Sequence, residues 1–122
     1  MKYAVLGAKA LLTLAFLMAG GSKLIGAEQM VAVYEAIGVG QWFRYLTGII
    51  EVAGAVLLWV RGREAIGAGL LLVTMVGAVL AHLLILGPSA VPALVLGVLA
   101  AFVLWYHRGQ LGAPRTADTG RI

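Results

Sequence analysis

The chain has 122 residues, of which 62% are hydrophobic and 11% charged, with a net charge of +4 and no cysteine. One domain's length with about half the usual share of charge cannot cover a water-soluble fold. The missing thiols exclude disulfides, thiol chemistry and cysteine-ligated metal or iron–sulfur sites within this chain.

Crossing the hydrocarbon core of a bilayer takes about 20 consecutive apolar residues, and such stretches recur four times. The pattern predicts an all-α fold: a four-transmembrane-helix bundle over residues 1–108, a short interfacial helix between the first and second spans, and a disordered cytoplasmic tail over 109–122. The first span covers residues 3–25. A signal peptide is the competing reading there, but Lys9 interrupts the apolar run and three further spans follow. Residues 27–41 place Met30, Val33, Tyr34 and Ile37 on one helical face. This stretch is too short and too polar to cross, so it is read as lying over the outer mouth of the bundle. The second span, residues 42–60, carries Trp42, Tyr45 and Trp59 near its ends, where aromatic side chains mark membrane interfaces. Arg61 to Glu64 form a turn. The third span covers residues 65–86, and Gly87, Pro88 and Ser89 form the next turn. The fourth covers 91–106, with Pro92 in its first turn, where proline is tolerated.

Basic residues set the orientation. Lys2, Arg61, Arg63, Arg108, Arg115 and Arg121 fall at the N-terminus, in the second connection and in the tail, whereas the Gly87 turn is uncharged. Four spans put the charged segments on one side, which the positive-inside bias makes cytoplasmic. The expectation is a multi-pass protein of the cell inner membrane with both termini inside. The basic residues are scattered and no nucleic-acid motif accompanies them, so nucleic acid is not expected as a partner. Small residues at four-residue spacing, Ala93/Gly97/Ala101 on the fourth span and Gly69, Gly77 and Ala81 on the third, let helix backbones approach closely. They could serve packing within the chain or a homo-oligomer.

Glu51 lies well inside the second span, roughly 12 Å below its outer end. An ionised carboxylate there costs several kcal/mol, so it is protonated, paired or facing a hydrated cavity. Arg44, Thr47 and Glu51 share one face of that helix. Ser22 and Lys23 close the first span, and His82 lies one turn below the outer end of the third. These residues predict a polar pocket on the outer-leaflet side, with Glu51 and His82 as proton-exchanging groups and Lys23, Arg44, Ser22 and Thr47 binding the ligand. No metal site is expected. The structural alternative is a Glu51 that only pairs with Lys23 or Arg44, a His82 that only bonds a carbonyl, and lysines that snorkel to the headgroups.

Several of these residues also carry a resemblance. Gly20-Gly-Ser-Lys23-Leu24, the short helix ending in Ile37-Gly38-Val39, Gly48-Ile-Ile-Glu51-Val-Ala-Gly54 and Gly77-Ala-Val-Leu-Ala-His82-Leu83 resemble, in this order and spacing, the motifs of the DoxX-like family over residues 3–108. The resemblance implies a four-helix membrane protein with a link to quinone-coupled redox systems. The redox role then lies in holding a quinone as a non-covalent cofactor or in partnership with another redox subunit. Two other functions fit the same residues: a proton-coupled transporter using Glu51, and a structural subunit without chemistry of its own.

Overall fold

The computed structural model describes residues 2–86 and 90–112. It is helical, with no strand among those residues. The order is α1 (Lys2–Ile25), α2 (Glu28–Ile37), α3 (Trp42–Leu57), α4 (Glu64–Ala81) running into a π-helical turn (His82–Leu86), α5 (Val91–Tyr106) and a single turn, α6 (Gly109–Gly112). The long helices alternate in direction. α1 packs on α3, α3 on α4, α4 on α5, and α5 returns to α1, while α2 rests against α3 and the π-helical turn. Two helical segments, Lys2–Ile25 and Glu64–Ile85, are long and apolar enough to cross a membrane by length and composition; Val91–Tyr106 is apolar and shorter.

Local chemistry explains the breaks. Gly26 ends α1 at φ +74°, a left-handed conformation that favours glycine, and the Ala27 amide returns to the Ser22 carbonyl at 3.0 Å. α3 stops at Leu57, three residues short of the expected 60, because the chain tightens into successive three-residue turns through Val60. The 65–86 expectation holds as a continuous helical run, but from His82 onward the winding widens from α to π. The Gly87 turn lies outside the described residues. The 109–122 tail is described only to Gly112, and that part is helical: Gln110 donates to Glu64 at 2.7 Å and accepts the Ala65 amide at 2.9 Å.

The core is apolar and mostly aliphatic: Leu12 and Phe16 of α1, Ala55 of α3 and Leu58 just after it, Ala68, Leu71 and Met75 of α4, and Ala100 and Val103 of α5 are buried together. Many large apolar side chains point outward, among them Leu14, Val73, Leu84 and Val98. A soluble fold rarely exposes apolar surface on this scale.

Candidate functional site

The close approach of α1 and α3 places the site. A Cβ on Gly20 would stand 2.8 Å from Val52 Cγ2 and 3.0 Å from the Gly48 carbonyl oxygen, and one on Gly48 would stand 3.0 Å from the Gly20 carbonyl. Two glycines facing each other let the backbones touch where lipid supplies no hydrophobic drive to associate. That contact brings the Lys23 ammonium to 2.8 Å from Glu51 Oε1. Lys23 is 9% exposed and Glu51 2%.

Arg44 closes the α2 end of this pair. Its Nη1 donates to the Lys23 carbonyl in the last turn of α1, which also accepts the Gly26 amide at 3.4 Å. Its Nε donates to Gln41 Oε1 at 2.7 Å, and its guanidinium lies 4.3 Å from the Tyr45 ring centre. Gln41 in turn donates from Nε2 to the Val31 carbonyl at 3.1 Å, which straps α2 onto the start of α3. Tyr34 of α2 is buried edge-to-face on Phe43, with ring centres 5.8 Å apart. Burial pushes its phenol above the ordinary range; the neighbouring Thr47 hydroxyl opposes this and the Glu51 charge adds to it. The arrangement is a carboxylate and two cations buried beneath a short helix whose one aromatic residue, Tyr34, faces them. It can hold or exchange a proton and can donate hydrogen bonds to an anionic or carbonyl oxygen.

Of the six residues expected at this site, the structure gathers Lys23, Arg44, Thr47 and Glu51. Thr47 donates its own hydroxyl to the Phe43 carbonyl at 2.7 Å, within its helix. The Ser22 carbonyl accepts the Ala27 amide at the end of α1, and no side-chain bond joins Ser22 to the pair among the described residues. No hydrogen bond or ion pair joins His82 to Glu51 among the described residues, and its Nδ1 is buried there without a partner. It stands at the start of the π-helical turn that α2 packs against. Tyr34 and Gln41 belong to the site and were not singled out from sequence. From the sequence, Tyr34 reads only as part of the apolar face of α2. The one available signal was the phenol, which needs a polar partner when buried.

The small-residue stripes divide. Ala93 and Gly97 face α4, with Met75 Cβ 3.4 Å from a Cβ on Gly97, and together they line an apolar groove of about 310 Å³ between α4 and α5. Gly69 and Gly77 meet nothing within 4 Å, so they are not the seam of α4 within the chain. That role belongs to Gly67, whose Cβ would stand 2.7 Å from the Gly54 carbonyl oxygen. At the opposite end of the bundle, Lys9 stacks 4.6 Å from the Trp59 ring, and Trp59 donates to Thr13 at 2.6 Å.

The model of the DoxX-like family matches residues 7–104, so the chain belongs to that family. No curated protein and no solved structure matches it significantly.

Proposed function

We propose that this DoxX-like membrane protein crosses the cell inner membrane four times, with α2 on the outer surface and both termini inside. In this reading it binds a small amphipathic molecule of the quinone class at Lys23, Glu51 and Arg44, within a redox-linked membrane system. The carrying observation is the Lys23–Glu51 pair, 2.8 Å apart and sealed between two helices. Glu51 stands nine residues into α3, about 13 Å along its axis, which in this topology corresponds to hydrocarbon depth. Desolvating two charges costs several kcal/mol per ion, and well-packed apolar side chains stabilise a helix interface as well or better. An intramembrane pair of this kind is therefore read as a working site. Lys23 and Arg44 donate to the oxygen of the head group, Glu51 exchanges a proton with it, and the apolar helix faces accept the tail. Electrons come from a partner subunit. His82, which makes no bond to the pair among the described residues, has no assigned part in this exchange.

The test is quinone retention. Protein extracted directly into lipid nanodiscs should carry bound quinone, quantified by mass spectrometry. A short-chain benzoquinone should bind at least about tenfold more weakly to Glu51→Gln or Lys23→Met, a loss of 1.4 kcal/mol or more. Wild-type protein that retains and binds no quinone would sink this reading. Substrate-driven proton release from reconstituted protein, abolished by Glu51→Gln, would then assign a transporter. Retained partner activity in Glu51→Gln would assign a structural subunit.

A further inference from the structure

The charges at the buried site do not balance. Glu51 is met by the Lys23 ammonium, the only ion pair among the described residues. Arg44, 5% exposed, adds a second and permanent cation. Its partners are all neutral: the Lys23 carbonyl, the Gln41 amide oxygen and the Tyr45 ring. The acidic residues of α2, Glu28 and Glu35, are exposed and pair with neither cation. Two cations less one carboxylate leave one uncompensated positive charge in a place shielded from water. Such a charge is costly unless an anion offsets it. The Arg44 fork is also only partly used. Nε and Nη1 are engaged, while Nη2 has no hydrogen bond among the described residues and keeps its donors available.

We propose that the ligand of this site carries a single negative charge on its polar end, a carboxylate-, phosphate- or acidic-enol-type group, and that Arg44 is the residue that selects it. This rests on the reading of the site as a ligand site and narrows the ligand's class. A neutral quinone leaves the positive charge unmatched; an acidic hydroxyquinone or an anionic lipid headgroup matches it. Lys23 keeps its ion pair with Glu51 while donating to the same head group, and the anionic oxygen sits on the Arg44 side, beneath α2. Gly26 belongs to the same corner: a Cβ there would stand 3.4 Å from Arg44 Nη1.

The experiment compares two probes that differ in charge alone, an alkyl hydroxybenzoquinone, anionic at neutral pH, and its neutral O-methyl ether. Binding is followed by tryptophan fluorescence in phosphatidylcholine nanodiscs. The anion should bind wild-type protein about tenfold or more tightly than the ether, and Arg44→Gln should remove most of that preference. Arg44→Lys keeps the charge but loses the fork, so it should retain part of the preference; it also provides a readout if Arg44→Gln does not fold. Competition by phosphatidylglycerol in the nanodisc would identify a lipid headgroup as the resident anion, and its absence would point to a free amphiphilic acid; both support the charge assignment. Equal binding of acid and ether, or a preference unchanged in a folded Arg44→Gln protein, overturns it while leaving the quinone reading intact. Failure of both probes to bind overturns the two together.

Discussion

Glu51 and Lys23 form a pair whose members are each costly alone. The ion pair itself contributes little net stability, because desolvation offsets most of the attraction, but breaking it strands a charge in hydrocarbon. Lys23→Met and Glu51→Leu should therefore each destabilise the folded protein by about 3 kcal/mol or more. The double variant should cost less than either single change. A double-mutant cycle in detergent unfolding measures this coupling; additive losses would mean that the two side chains do not depend on each other. Lys23, Arg44 and Glu51 were legible because isolated charges in apolar segments stand out. Tyr34 and Gln41 were not, since an aromatic on an amphipathic face and a glutamine in a connection carry no such contrast.

Helix contacts here are set by which glycine faces a neighbour. Gly20 meets Gly48 across α1 and α3, and Gly54 meets Gly67 across α3 and α4. Gly20→Ala and Gly67→Ala each force a methyl against a backbone oxygen and should destabilise by about 1–3 kcal/mol. Gly77→Ala meets open space and should be neutral or slightly stabilising, since alanine favours the helix. Comparing the three in one unfolding assay tests the packing: an equal loss from Gly77→Ala would show that this face is buried by something else, a second copy included. α4 begins at Glu64 with no side-chain cap of its own, and the amide of Ala65 is satisfied by Gln110 from the far end of the chain. Gln110→Ala should cost about 1 kcal/mol, the usual worth of a cap, and melt first at that end in amide exchange.

The whole molecule has one polar end built around Lys23, Glu51 and Arg44, and another where Lys9 and Trp59 approach the Arg61–Arg63 turn. The proposed topology puts the first outside and the second inside. Because the chain has no cysteine, single cysteines report accessibility without background. Val39→Cys should react with an impermeant thiol reagent in intact cells, and Gly62→Cys only after the membrane is opened. The reverse pattern would invert the orientation and move the site to the inner leaflet.

Sequence by itself determined that the chain is helical and apolar, where the helices begin, and that three charged residues near one end demand an explanation. Those properties follow from period, composition and the free energy of charge in hydrocarbon, which are local. Only the tertiary structure decided which partner each group takes. Glu51 went to Lys23 because Gly20 and Gly48 let α1 and α3 touch, Arg44 went to a carbonyl rather than a carboxylate, and His82 opens a π-helical turn with no bond to either among the described residues. Periodicity reports that a helix has a face; the direction in which it points depends on residues far along the chain.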